Sequence, residues 1–193
     1  MGTSRARCVA VLKTTNLNPS SHIMSQLTSP RELLVEELKD LYSAESQLLK
    51  ALPRMAKAAN SEELKSAFEA HLKETKVHAE RLDAIMEELG ESPRGKKCKA
   101  MEGLVEEGKE MMEEDGEPAV LDLGLIGAAQ KVEHYEIAGY GCARTLAELV
   151  GETKIAKTLQ QTLNEEGDAD KLLTEVAMGL NLEAAAAGED DEG

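Results

Sequence analysis

The stretch AAQKVEHYEIAGY, residues 128–140, decides the fold. Its apolar residues recur at the three- and four-residue steps of a helix that buries one face. Glu133, His134 and Glu136 nevertheless sit at its centre, where a core-facing stripe is ordinarily apolar. A single mid-helix acid is usually a boundary residue that reaches solvent, so the neighbouring helices have to show whether this one is alone.

The stretch belongs to a helix running from Pro118 to about Val150, closed by Gly151. Its stripe reads Leu125, Ala129, Val132, Glu136, Gly139, Ala143, Leu146, Val150, with Glu133 stacked on Glu136 at i, i+3. A second helix follows at once, from about Thr153 to Leu182, with the stripe Ile155, Leu159, Leu163, Glu166, Asp170, Leu173, Ala177, Leu180. So short a connection predicts a helical hairpin.

Upstream the pattern repeats. Ser29 and Pro30 make a good helix start, and Leu34, Leu38, Leu41, Glu45, Leu48, Leu52, Met55 and Ala59 form the next stripe, with Pro53 expected to bend the helix or loosen a turn. Asn60 with Glu63 reads as a capping box for a further helix that ends at Gly90. Its stripe is Leu64, Ala67 or Phe68, His71, Glu74, His78, Leu82, Ile85, Leu89. These two helices form the other hairpin.

Between the hairpins, ESPRG (91–95) and DGEP (115–118) bracket a short helix from about Cys98 to Glu114. At 1.5 Å per residue it spans roughly 25 Å, comparable to the length of the bundle. Two helical hairpins joined by a long crossover containing a short helix predict an all-α, ferritin-like four-helix bundle over residues 30–182.

Composition agrees with one such domain. The 193 residues are 41% hydrophobic and 31% charged, aromatics are 2% and Trp is absent, which favours helices over strands. The net charge is -15, while the first 29 residues hold Arg5, Arg7 and Lys13 and no acid, so the acidity lies in the remainder. Nucleic acid and anionic membranes are thereby disfavoured as partners. Cys8, Cys98 and Cys142 are odd in number and scattered, which suits a reducing cytoplasm better than a disulfide framework. Residues 1–29 read as a disordered or over-extended leader, since VAVL (9–12) is too short for a signal-peptide core of about 7 to 15 residues. Residues 183–193 read as a disordered acidic tail.

Measured from the two hairpin turns, Glu45 matches Glu74 and Glu136 matches Glu166 in height, so four helices bring acids to one layer. An unpaired carboxylate in an apolar core costs several kcal/mol, against a whole-domain stability of about 5 to 15 kcal/mol. Arg81 and Arg144 reach only the edges of the layer. Two divalent ions would supply the missing charge, and hard oxygen ligands with a little imidazole suit iron or manganese. The candidate metal ligands are Glu45, Glu74, His78, Glu133, Glu136, Glu166 and Asp170. His71 reads better as a packed core histidine, and His134 lies about 100° round its helix from Glu133, toward an interface or the surface. Tyr42 and Tyr140, one turn from Glu45 and Glu136, are candidates to hydrogen-bond a ligand, with plain packing as the alternative.

HLKETKVHAERL (71–82), AMEGLVEEG (100–108), AAQKVEHYEIAGYG (128–141) and TLNEEGDADKLL (162–173) together resemble the YciE/YciF family of ferritin-like bacterial stress proteins. The resemblance covers roughly residues 30–180. It implies a cytoplasmic, all-helical homodimer. More distantly the chain is similar to rubrerythrin, whose di-iron site takes Glu from the first helix, Glu-x-x-His from the second, Glu-x-x-Glu from the third and Glu-x-x-His from the fourth. Glu45, Glu74, Glu133 with Glu136, and Glu166 fall on matching positions. Two departures stand out: His78 follows Glu74 by four residues, and no histidine follows Glu166.

The expectation is therefore a stress-response protein with a carboxylate-rich dimetal site that reacts with peroxide or oxygen, as a peroxidase or ferroxidase would. The alternative is a non-catalytic structural dimer with a degenerate, metal-free site. No rubredoxin-like cysteine cluster is present, so a reductant would have to come from outside the chain.

Overall fold

A computed structural model describes residues 27–189 of the chain, with side chains described as far as residue 180. The leader expected at 1–29 falls almost wholly outside that range. Five helices follow in order: α1 (Pro30–Ala58), α2 (Glu62–Leu89), α3 (Lys99–Glu113), α4 (Pro118–Leu149) and α5 (Thr153–Glu189). Among the described residues there is no strand, and no helix is long and apolar enough to cross a membrane.

Helix starts are set by local chemistry. Ser29 accepts from the Glu32 backbone N–H while the Glu32 carboxylate accepts from the Ser29 N–H, a complete capping box ahead of Pro30. At α2 the cap is Ser61, not Asn60: Ser61 Oγ accepts from the N–H groups of Glu63 and Leu64. Asn60 is drawn elsewhere, because the buried Asp122 carboxylate accepts its backbone N–H at 2.9 Å and that of Ser61 at 2.7 Å. Gly90 and Gly151 end α2 and α4 with φ of +74° and +85°, a conformation that costs residues with a Cβ. The α1 helix continues through Pro53, which lies exposed. The α5 helix continues to Glu189, past the expected end at Leu182, through four consecutive alanines that are strong helix formers. Backbone up to 189 is thus helical where a disordered tail was expected, and 190–193 fall outside the described residues.

The polar contacts between helix ends fix the topology. Asp122 ties the start of α4 to the α1/α2 turn, whereas Arg31 pairs with Glu152 and Lys154 with Glu88 at the opposite end. Helices α1 and α5 therefore run one way and α2 and α4 the other, and the crossover must travel the length of the bundle. Within it, α3 packs on α1 and α4. Ser43 Oγ accepts from the Cys98 N–H at 2.9 Å and Gln47 donates to the Cys98 carbonyl at 3.0 Å, pinning the start of α3. Further along, Met111 lies over Gly124 so closely that a Cβ there would meet its sulfur at 2.3 Å.

The apolar interior is divided in two. One cluster centres on Leu48, Leu52, Leu64, Phe68, Ile126 and Val176, and the other on Leu34, Leu38, Leu82, Met86, Ala143 and Leu159. Between them lies a layer of buried charge.

Candidate metal centre

The layer is built from a turn each of α1, α4 and α5 and two turns of α2. It contains Glu45 from α1, His71 and His78 from α2, Glu133 and Glu136 from α4, and Glu166 from α5, all buried. They fall into two groups able to surround an ion: His71, Glu133, Glu136 and Glu166 form one, and Glu45, His78 and Glu166 the other. Glu166 belongs to both.

Distances within the layer are short. His78 Nδ1 lies 2.9 Å from Glu166 Oε1 and 3.5 Å from Glu45 Oε1, out of line for hydrogen bonds in both cases, so these contacts act through charge. His71 Nε2 lies 3.3 Å from Glu133 Oε1 and 3.9 Å from Glu166 Oε2. Tyr140 donates to Glu45 Oε1.

The other nitrogen of His78 is fixed from outside the layer. Its Nε2 is 2.9 Å from Glu165 Oε2, and Arg81 holds Glu165 through both carboxylate oxygens. That bond drives the Glu165 carboxyl down to about 2, chiefly through Arg81. With Nε2 so engaged, Nδ1 is turned toward Glu45 and Glu166, as in the carboxylate–histidine arrangements that orient metal-binding imidazoles. Neither Glu165 nor this use of Arg81 was expected from the core stripes. Arg81 one turn after His78, and Glu165 beside Glu166, were the available signals.

Burial and mutual repulsion set the protonation of the layer. Burial raises the Glu136 carboxyl well above the ordinary carboxylate range, and the charges of Glu45, Glu166 and Glu133 add to it. Glu133 is pushed up to about 8, again mainly by burial, with His71 opposing. Glu45 is raised by burial, against the contact with His78. Burial alone would lower both imidazoles. Contacts with Glu166 and Glu45 instead raise His78 to about 10, and Glu133 with Glu74 raises His71 to about 9.

Many of these atoms have no hydrogen-bond partner. Both oxygens of Glu136 and Glu166, one each of Glu45 and Glu133, both nitrogens of His71 and Nδ1 of His78 are buried and unsatisfied. Unsatisfied buried polar atoms are few in folded proteins, and their concentration in one layer calls for a bound cation or for shared protons. The donor set, four carboxylates and two imidazoles, equals in number that of the carboxylate-bridged dimetal bundles. Its distribution differs, because both imidazoles come from α2.

Two sequence-based candidates lie outside the layer. The Glu74 side chain is half exposed, with its Oε2 3.5 Å from the outer nitrogen of His71. Thr75 occupies the buried position instead, its hydroxyl donating to the His71 carbonyl at 2.9 Å. Asp170 accepts from Gln130 Nε2 at 3.0 Å on the outer edge of α4 and α5. Tyr42 also points away, donating to Asp83 at 3.3 Å, whereas Tyr140 reaches the layer. His134 is 69% exposed, as its position on the helix predicted. His71, read from sequence as a packing residue, is the addition.

The fold and this cluster together define a ferritin-like four-helix protein with a core of carboxylates and imidazoles able to hold metal. The model of a domain of unknown function, DUF892, matches residues 29–186, and the chain belongs to that family. It is 48% identical to protein YciF of Escherichia coli (strain K12) over 148 residues, covering 76% of this chain and 89% of that protein. The crystal structure of the E. coli stress protein YciF superposes with a TM-score of 0.78 at 46% identity, covering 80% of this chain and 98% of that one. A structure of ferritin-like, diiron-carboxylate proteins from Bacillus anthracis superposes at 0.62 and 16% identity, over 78% of this chain and 99% of that one, a likeness of fold alone.

Proposed function

We propose that the chain is a cytoplasmic, homodimeric stress-response protein whose core binds two iron or manganese ions and reacts with peroxide or oxygen. The observation that carries this reading is the set of unsatisfied buried oxygens and nitrogens on four carboxylates and two imidazoles. Its two groups share Glu166, so that carboxylate would help to hold both ions. A pair of redox-active ions would supply the electrons for peroxide reduction. The diiron-carboxylate description of the B. anthracis relative of the fold is compatible with this.

The protein's own residues prepare the site. Arg81 and Glu165 fix the orientation of His78, and Tyr140 orients Glu45. The apolar clusters above and below keep water from those two sides, which strengthens the charge interactions between them.

A second reading has its own support. His71 and His78, held protonated by their acidic neighbours, together with a protonated Glu136, would leave the layer close to neutral without any ion. In that state the protein is a structural dimer.

Anaerobic loading with ferrous iron or manganese separates the two. The dimetal reading expects about two ions per chain, about one in His71→Ala, and oxidation of the ferrous form on adding peroxide. Substoichiometric binding that Glu136→Ala leaves unchanged would establish the structural reading.

A further inference from the structure

The His71 side of the layer is not sealed. A cleft of about 190 Å³ between α2 and α5 runs in from the surface past Ala70 and Glu74 on one wall and Asp168 and Ala169 on the other, and has His71 and Glu133 on its floor. His71 is only 7% exposed, yet both ring nitrogens lack hydrogen-bond partners. Its Nδ1 is 3.5 Å from the half-exposed Glu74, and its Nε2 is 3.3 Å from the buried Glu133. Glu74, His71 and Glu133 thus form a continuous line of donor atoms from solvent to the core.

The geometry points to this cleft as the port through which divalent cations reach the centre, with Glu74 as the first ligand and His71 as the group that passes the ion inward to Glu133. This rests on the dimetal reading. Of the acids around the mouth, Glu165 is held by Arg81 and Asp168 lies beside Lys171 at 2.8 Å, whereas Glu74, half exposed, touches His71 at 3.5 Å and is the carboxylate placed to pass an ion to that ring. Neither ring nitrogen of His71 has a hydrogen bond to break before it meets an ion, and the ion takes the place of a ring proton as it binds. A second slot, between Leu48, Val105 and Val132, is a poor alternative: Arg54 and Lys109 line it, and no residue of the layer does. Cations would be repelled there.

Cobalt(II) uptake by the full-length, metal-free chain, followed by stopped-flow visible absorbance, tests the port. Ala70 is exposed, so Ala70→Trp can cover the mouth without entering the core. Both Ala70→Trp and Glu74→Gln should slow uptake roughly tenfold or more, within the range that steering by local charge and access provides. Final cobalt content should be unchanged in both, and in Ala70→Trp release should slow by the same factor as uptake, because a port changes rates and not affinity. If either variant binds at the wild-type rate, or if Glu74→Gln loses cobalt at equilibrium, the port is overturned while the metal reading stands. Wild-type chain that takes up no cobalt overturns the metal reading and the port with it.

Discussion

Tyr140 on α4 donates its phenolic hydrogen to Glu45 on α1, 2.5 Å away inside the core. The same Glu45 oxygen is 3.5 Å from His78 on α2, so one hydroxyl helps align a carboxylate that three helices share. Burial and the Glu45 charge push the Tyr140 phenol well above its ordinary value, which keeps it a donor. In Tyr140→Phe a buried carboxylate oxygen loses that donor. We expect a loss of about 1 to 3 kcal/mol in the metal-free protein, measured by urea denaturation, and a smaller loss after manganese loading.

Glu136 is expected to behave in the opposite sense. Both its oxygens are buried without partners and its charged form is strongly disfavoured. Glu136→Met should therefore stabilise the chelator-treated protein by about 1 to 3 kcal/mol, because it replaces a buried polar group that has no hydrogen-bond partner with apolar volume. The same variant should gain nothing from added metal in a thermal melt.

The pH dependence follows from the direction of the shifts. His71 and His78 rise from 6.5 to about 9 and 10, and Glu133 from 4.5 to about 8, so the folded state holds protons that the unfolded chain has released. Their stabilisation is complete below the unfolded values and disappears as pH rises through the folded ones. Glu165, depressed to about 2, acts only at the acid end: its contribution is present above 4.5 and is lost as pH falls toward 2. Urea midpoints of the metal-free protein should accordingly decline from pH 5 to pH 9. Manganese affinity, which requires proton release, should climb over the same interval.

Asp122 provides a comparison away from the layer. Its carboxylate accepts two backbone N–H groups and the Asn60 side chain at the α1/α2 turn. Asp122→Ala should cost about 3 kcal/mol, since hydrogen bonds to a buried charge are among the stronger ones. Metal stoichiometry should remain that of the wild type.

The bundle was legible in the sequence because long apolar stripes and short hairpin turns leave little choice of topology. On α1 and α4 the stripes also placed Glu45, Glu133 and Glu136 correctly in the core. On α2 and α5 they were ambiguous by one residue. Steps of three then four carry His71 to His78 through Glu74, whereas four then three carry it through Thr75, and both are valid helical periods. Burial selects Thr75. On α5 the same ambiguity lies between Asp170 and Ala169, and the neighbouring stripe positions Thr162 and Val176, both 1% exposed, select the face that carries Ala169. In each case the acid looked like the better ligand, and packing, which the one-dimensional pattern does not contain, placed it outside. The compensating histidine was hidden for a related reason: an imidazole seven residues from another shares its helix face, but only the facing Glu133 distinguishes it from a packing residue.

The charged layer between the two apolar clusters also bears on helix alignment. Leu and Ala stripes pack acceptably after a slide of one heptad, so the clusters alone would tolerate several registers of α1, α2, α4 and α5. Glu45, His78, Glu133 and Glu166 tolerate only one, since sliding any helix would set its charge against leucine and strand those of its neighbours. The layer thus serves as a vernier: it spends stability to fix the helices at a single reading, and a chain whose acids were all replaced by leucine should fold more tightly and less uniquely.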